Sequence, residues 1–241
     1  MFQEYLKKYR ESITENNPNN GICFDGAVDP DSYFGKEHRL AFLLKETNGN
    51  KNNGDKNEVL SDWDYMEWVR QQAEGRQPLY RSVYRNIAMW SRMFEVYTEN
   101  GLDLRMEDYI GEEGLIIDEQ MRASLLGIAV VNLKKSWGVE RTDWAAMNAY
   151  LNADDIRREI LLYQIEQLKP TLVMCGGTFD FAKEILGEGC KTENISVNGQ
   201  NVLYFRRGNT VFVSCYHPSR PGWSRKSSFR YASNIFEALA K

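Results

Sequence analysis

The sequence has few of the residues that build metal sites and covalent frameworks. Its 241 residues include four cysteines and two histidines, and no cysteines form the Cys-x-x-Cys pair typical of zinc sites and iron–sulfur clusters. We therefore predict neither a metal nor another cofactor. Cys175 and Cys215 lie in apolar runs and are expected to be buried thiols of a reducing compartment, which predicts a cytoplasmic protein.

Long hydrophobic runs and nucleotide-binding signatures are also missing. No apolar stretch approaches the roughly 20 residues that cross a bilayer, and residues 1–8 favour an amphipathic helix over a secretory signal. The sequence contains no Walker-type or Gly-x-Ser-x-Gly motif. With 42% hydrophobic residues, it can bury one sizeable core. We predict a single domain over residues 1–241 that includes a packed N-terminal helical extension over residues 1–35.

Charge is distributed unevenly along the chain. The formal net charge is −4, yet residues 201–241 contain seven basic residues and a single acid, Glu237. Salt screens exposed charges beyond about 8 Å, so a local basic surface can bind phosphate although the whole protein is acidic. The charge pattern therefore permits a nucleic-acid contact near the C-terminus.

Four apolar runs are typical of buried strands. Their hydrophobicity is continuous rather than alternating, which indicates strands covered on both faces and hence a parallel sheet between helices. Helical periodicity separates the runs, and the alternation predicts a doubly wound α/β domain. A hairpin through Gly208 and Asn209 would join residues 201–206 to the last run. The runs are residues 39–45, 127–133, 171–175 and 211–216, and the helices are residues 80–98, 154–168, 179–186 and 227–240.

Polar residues and glycines follow each predicted strand. Because the carboxyl ends of parallel strands meet at one edge, where ligands bind, we expect these groups to converge on one crevice. A carboxylate, an amide, a glycine turn and an imidazole would meet there. The segments are Lys45-Glu46-Thr47-Asn48, Asn132-Leu133-Lys134-Lys135, Gly176-Gly177 and His217-Pro218-Ser219-Arg220.

These segments resemble motifs of the uracil-DNA glycosylase superfamily. The resemblance rests on K-E-T-N-G, V-V-N-L-K-K, I-E-Q-L-K-P-T-L-V-M-C-G-G and Y-H-P-S-R, and it covers roughly residues 39–220. Asn48-Gly49 replaces the usual Pro-Gly, and the cysteine spacing for an iron–sulfur cluster is absent. The chain thus resembles a divergent member without the cluster. The implied fold is a three-layer α/β/α arrangement around a short, mainly parallel four-stranded sheet.

The resemblance also implies an activity, the monofunctional hydrolysis of the N-glycosidic bond of a flipped-out uracil or modified pyrimidine. The product would be an abasic site, as in DNA repair. Glu46 would hold a water against the developing positive sugar, and His217 would donate a hydrogen bond to the leaving base. The implied base-binding residues are Asn132, Thr47, Asn48 and Trp63, and the implied phosphate contacts are Lys134, Gly176, Gly177, Ser219, Arg220 and Arg225.

Other functions remain open at the level of the sequence. One alternative is a phage-defence (antiviral) glycosylase that removes bulky, glucosylated cytosine. Another is a catalytically silent DNA-binding module of the same fold, and a third is a small-molecule hydrolase or nucleotide-binding protein. Glu46 would then simply pair with Lys45 or Lys134, and Asn132 would be a helix cap or a buried turn amide. In the lead interpretation the partner is single- or double-stranded DNA, there is no membrane partner, and the protein is a monomer.

Overall fold

A computed structural model describes most of the chain. The described residues are 7–8, 10–11, 21–45, 62–79, 82–101, 103–136, 144–153 and 155–240. The strands are β1 (Cys23–Phe24), β2 (Gly26–Ala27), β3 (Leu40–Leu44), β4 (Trp63–Asp64), β5 (Ile110–Gly111), β6 (Gly114–Leu115), β7 (Ile128–Asn132), β8 (Leu172–Gly176), β9 (Thr192–Val197), β10 (Gln200–Arg207) and β11 (Thr210–Cys215). The α-helices are α1 (Pro30–Phe34), α2 (Tyr65–Ala73), α3 (Ser82–Asn100), α4 (Glu119–Ala123), α5 (Trp144–Asn152), α6 (Asp155–Leu168), α7 (Phe179–Leu186) and α8 (Arg225–Leu239).

The main sheet is mixed and has seven strands, in the order β2-β7-β3-β8-β11-β10-β9. Its inner four strands, β7, β3, β8 and β11, run parallel and correspond to the four apolar runs. The prediction of a four-stranded sheet is therefore wrong in the number of strands. Strands β2, β9 and β10 extend the sheet by antiparallel pairing. Strand β2 has two residues and β9 is largely exposed, so neither produces a continuous apolar run.

The inner strands are buried because helices cover both faces of the sheet. Side chains of β3 alternate between two clusters, with Leu40, Phe42 and Leu44 on one face and Ala41 and Leu43 on the other. Helices α2, α3, α4 and α8 pack on the first face, and α5, α6 and α7 pack on the second. Fully burying one such large apolar side chain contributes about 1.5–3 kcal/mol. The prediction of a mostly parallel central sheet between helices is confirmed.

Helix positions agree closely with the periodicity of the sequence. The predicted helix over residues 179–186 is α7, the one over 154–168 is α6, and the hairpin into the last strand is formed by β10 and β11. Asp64 accepts from the backbone N–H of Glu67 and so caps the start of α2.

The proposed helical extension over residues 1–35 has helical residues 7–8 and 10–11, but its later part forms β1, β2 and α1.

In the part of the chain described here, none of the helices has both the length and the apolar character needed to cross a bilayer.

Candidate functional site

The carboxyl ends of the four parallel strands form one row. Asn132 pairs with Leu44, and Gly176 pairs with Cys215. Because Leu43 pairs with Cys175, Leu44 and Gly176 are also neighbours. The segments that follow these strands therefore leave the sheet at the same edge. Glu46, Thr47 and Asn48 lie outside the described residues, so their roles stay predictions.

His217 stands two residues beyond β11, in a tight turn. Its Nδ1 accepts the backbone N–H of Ser219 at 3.2 Å and lies 2.7 Å from Ser219 Oγ. The backbone N–H of Arg220 closes the turn by donating to the His217 carbonyl at 2.9 Å. Because Nδ1 accepts, the proton of the neutral ring is on Nε2. Burial, and to a smaller extent the Lys45 ammonium, together lower the pKa of His217 to about 4, so the ring is a neutral Nε2–H donor at pH 7.

Two glycines at the end of β8, Gly176 and Gly177, let this turn pack against the sheet. A Cβ added to Gly176 would lie 2.8 Å from Leu44 Cδ2 and 3.2 Å from Pro218 Cδ, which is closer than real Cβ atoms tolerate for a rigid neighbour. Gly177 has a φ of +69° and donates its N–H to the Cys215 carbonyl at 2.8 Å. Gly176 therefore leaves room for Leu44 and Pro218, and Gly177 provides the left-handed backbone conformation that the turn needs. The Gly177 N–H, proposed as a phosphate contact, is already used within the protein.

A chain of hydrogen bonds from the core fixes the same turn. Asn86, in the first turns of α3, donates to the Pro218 carbonyl at 2.5 Å, and Ser228 Oγ donates to Asn86 Oδ1 at 2.8 Å. Trp90 Nε1 completes the chain by donating to Ser228 Oγ at 3.0 Å. Trp90 and Ser228 are buried. Asn86 could not be identified from the sequence, because it is more than 130 residues from Pro218 in the chain and no local pattern marks it.

A cation–π pair lies beside the glycine turn. Lys45 Nζ is 4.2 Å from the ring centroid of Trp144, and Trp144 stacks on Phe181 with centroids 5.7 Å apart. The Lys45 chain also packs against Gly177, 3.4 Å from where a Cβ would be. Trp144 is 43% exposed, so an exposed aromatic ring and a cation border the site. Neither Trp144 nor α5 was identified from the sequence.

Asn132 is buried in a polar network rather than open to solvent. Its side chain is 1% exposed, and its Nδ2 donates to Asp25 Oδ2 at 3.1 Å. Lys135 Nζ lies 2.9 Å from Asp25 Oδ1. Burial lowers the pKa of the Lys135 ammonium, while the Asp25 carboxylate opposes this effect. The neighbouring Lys134 is only partly buried, with its Nζ 5.9 Å from the Tyr150 ring centroid.

Trp63 belongs to a cluster of four aromatic rings, with Tyr65, Trp68 and Tyr84. Ring centroids are 5.2 Å apart for Trp63 and Tyr65, and 4.6 Å for Trp68 and Tyr84. The Tyr65 and Tyr84 hydroxyls are hydrogen-bonded at 2.5 Å. Trp63 and Trp68 are partly exposed, and the cluster also packs on the core.

Cations and aromatic rings are exposed beyond His217. The Arg220 guanidinium lies 3.6 Å from the ring centroid of Tyr216, which is 49% exposed, and 5.6 Å from that of Trp223. Ser219 is also exposed. Arg225 begins α8, and its Nη1 donates to the Glu113 carbonyl at 3.4 Å. The proposed phosphate contacts Ser219, Arg220 and Arg225 are thus exposed at or just beyond this turn.

Among the described residues, the polar groups at this edge are the His217 imidazole, amides, ammonium groups and the buried Asp25 carboxylate. Within the described ranges, no cluster of three or more His, Cys, Asp and Glu residues is placed to hold a metal ion. A comparison of the chain with known protein families finds no match, and no curated protein matches it. The arrangement itself can donate hydrogen bonds to an anionic or carbonyl oxygen, and it can bind phosphate through nearby cations.

Proposed function

We propose that the protein is a DNA glycosylase that hydrolyses the N-glycosidic bond of a flipped-out uracil or modified pyrimidine and leaves an abasic site. The observation that carries the proposal is the neutral imidazole of His217, which Ser219 holds in the tautomer that carries its proton on Nε2. When this bond breaks, negative charge develops on the base. A fixed donor aimed at that charge stabilises the transition state more than the ground state.

The sugar side of the reaction is assigned to Glu46, which directly follows Lys45 at the end of β3. A carboxylate there would hold the attacking water and oppose the positive charge that develops on the sugar. The acid and the imidazole would then act on opposite sides of one C–N bond. Asn132, at the end of the neighbouring strand β7, is the proposed reader of the base edge, because its amide both donates and accepts.

DNA would approach the edge that presents His217. The exposed cations Arg220, Arg225, Lys226 and Arg230 suit the phosphate backbone, which supplies much of the affinity for nucleic acid. The exposed Arg220 guanidinium, which lies over the Tyr216 ring, adds a planar cation on which a base can stack. The same cations favour the second candidate, a DNA-binding module without catalysis.

The test presents the protein with DNA that carries uracil, other damaged bases, or modified cytosines that include a glucosylated form. Release of a base is scored as alkali-labile strand breaks. We expect His217→Ala to slow base release by about 100- to 1000-fold. The control is His38→Ala, which removes the other histidine at an exposed position before β3 and should leave the rate unchanged.

The variant Glu46→Gln distinguishes a glycosylase from a DNA-binding module without catalysis. The variant keeps the shape of the side chain but removes its charge, so base release should collapse while DNA binding survives. Wild-type protein that binds DNA but releases no base from any of these substrates would favour the binding module. A Glu46→Gln variant as active as the wild type would remove Glu46 from the mechanism.

A further inference from the structure

A buried ion pair lies at the end of β7, beside Asn132. The side chains of Asp25 and Lys135 are 0% and 2% exposed, and Lys135 Nζ lies 2.9 and 3.0 Å from the two carboxylate oxygens. Removing two charges from water costs about as much as their attraction returns, so a buried pair is weak support for stability.

The contacts of the pair converge on Asn132. Asp25 Oδ2 accepts from the backbone N–H of Asn132 at 2.6 Å and from its Nδ2 at 3.1 Å. Lys135 Nζ donates to the Asn132 carbonyl at 2.6 Å. The ion pair thus holds the N–H, the C=O and the side-chain NH₂ of one residue. Gln164 of α6 fixes the carboxylate from the other side, because its Nε2 donates to Asp25 Oδ1 at 2.8 Å and to the Asp25 carbonyl at 3.1 Å.

The carboxylate also determines which way the Asn132 amide faces. The groups described around its oxygens are an ammonium, two amide NH₂ groups and a backbone N–H, and all of them donate. A flipped amide would place the Asn132 Oδ1 against the carboxylate, where two acceptors repel. The NH₂ therefore faces Asp25, and Oδ1 is directed away from it.

We propose that Asp25 and Lys135 are positioning residues that lock the Asn132 amide in one orientation, so that Asn132 distinguishes uracil-type from cytosine-type base edges. Uracil presents an acceptor at position 4 and a donor at position 3, whereas cytosine presents the reverse order. A freely flipping amide pairs with either edge, but a locked amide pairs with only one. The inference rests on the proposed glycosylase function and adds the origin of its base selectivity.

The test replaces both charges together, as Asp25→Leu with Lys135→Met, because removing one alone would leave an unpaired buried charge. We expect the double variant to fold with a lower denaturation midpoint, because the buried Asn132 and Gln164 donors lose their acceptor. Its kcat/KM on the preferred base should fall by about 100-fold, the loss typical of a misplaced contact group. Its preference between uracil-type and cytosine-type substrates should fall by at least about tenfold. The control is Lys36→Met with Glu95→Leu, a partly buried ion pair elsewhere, which should leave rate and preference unchanged.

The side-chain NH₂ signals of Asn132, assigned by their loss in Asn132→Asp, give a readout that needs no activity. In the wild type, the proton held by Asp25 should be shifted downfield and protected from exchange, and the double variant should lose both properties. Gln164→Leu keeps both charges. It should change the Asn132 NH₂ signals and the base preference in the same direction as the double variant, but by a smaller amount. If the double variant does not fold, Gln164→Leu provides the test of the inference.

Two results would overturn the inference. One is an ordinary, unprotected NH₂ signal for Asn132 in the wild type. The other is a folded double variant with the wild-type rate and the wild-type base preference. If the wild type releases no base from any DNA, the proposed function fails, and the NH₂ signals still decide whether the lock exists. In an Asn132→Ala background, the double substitution should have no further effect on rate.

Discussion

Ser219 donates its backbone N–H to Nδ1 of His217 at 3.2 Å, and this contact determines which ring nitrogen carries the proton. A side-chain donor alone would leave the choice open, because a hydroxyl both donates and accepts. A backbone N–H only donates. The turn that places His217 at the edge of the sheet therefore also sets its tautomer, and it directs the remaining N–H away from the turn.

The ionisation of His217 should appear in the pH dependence of both activity and stability. Its pKa is about 4 in the folded protein and near 6.5 in an unfolded chain. We expect the imidazole to stay neutral, and its contribution to activity to stay constant, from pH 8 down to about pH 5. Between pH 6.5 and 4 the unfolded chain binds a proton that the folded protein does not, so the free energy of unfolding falls as the pH falls.

NMR titration of the ring protons checks this prediction. The chain has only two histidines, so His38→Gln assigns the His217 signals by elimination. Denaturant unfolding at pH 7.5 and 4.5 should show a smaller difference for His217→Gln than for the wild type. A His217 titration midpoint near 6.5 would contradict the prediction.

Lys45 is expected to influence the same titration. Its ammonium lowers the pKa of His217, and Trp144 holds Lys45 Nζ 4.2 Å from its ring centroid. Lys45→Met should therefore raise the pKa of His217 but leave it below 6.5, because burial is the larger cause. Trp144→Leu should raise it by less. Lys226→Met, a matched substitution at an exposed position of α8, should leave the titration midpoint where it was.

The inner part of the sheet could be predicted because its strands are buried on both faces. Continuous apolar runs identify β3, β7, β8 and β11, and their parallel pairing brings the carboxyl ends of the four strands to one edge. The outer strands carry no such signal. Strand β9 is mostly exposed, and β2 consists of two residues. Their pairing depends on the neighbouring strand rather than on their own sequence.

The hydrogen bonds that position Asn132 and the His217 turn could not be predicted, because they join residues that are far apart in the chain. Asp25 lies 107 residues from Asn132, and Asn86 lies 132 residues from Pro218. Lys135 follows another lysine, a pattern typical of a solvated face, yet it is 2% exposed. Burial of a charge is decided by the partner that the fold brings to it.

Asn86→Leu tests whether the hydrogen-bonded chain positions His217. The substitution removes the donor to the Pro218 carbonyl and the acceptor for Ser228 Oγ. We expect the free energy of unfolding to fall by about 1–3 kcal/mol and base release to slow by about 100-fold. The matched control is Ser91→Ala in the same helix, whose buried hydroxyl bonds only to the Ile87 carbonyl among the described contacts. It should reduce stability by a similar or smaller amount without slowing base release.

Gly176→Ala tests whether the position of the His217 turn requires a glycine at the end of β8. The new Cβ would lie 2.8 Å from Leu44 Cδ2, which can move, and 3.2 Å from Pro218 Cδ, which belongs to a rigid ring. We therefore expect Pro218 and His217 to shift, the free energy of unfolding to fall by about 1–3 kcal/mol, and base release to slow more than stability alone explains.

Gly111→Ala is the matched control, because its nearest neighbour would be 3.7 Å away in ordinary contact. Denaturant unfolding and base-release rates should both stay near wild type for this variant. Adding Leu44→Ala to Gly176→Ala removes the flexible neighbour but not the proline, so it should leave the loss of rate in place. Recovery of the full rate in that double variant would show that Leu44, and not the His217 turn, requires the glycine.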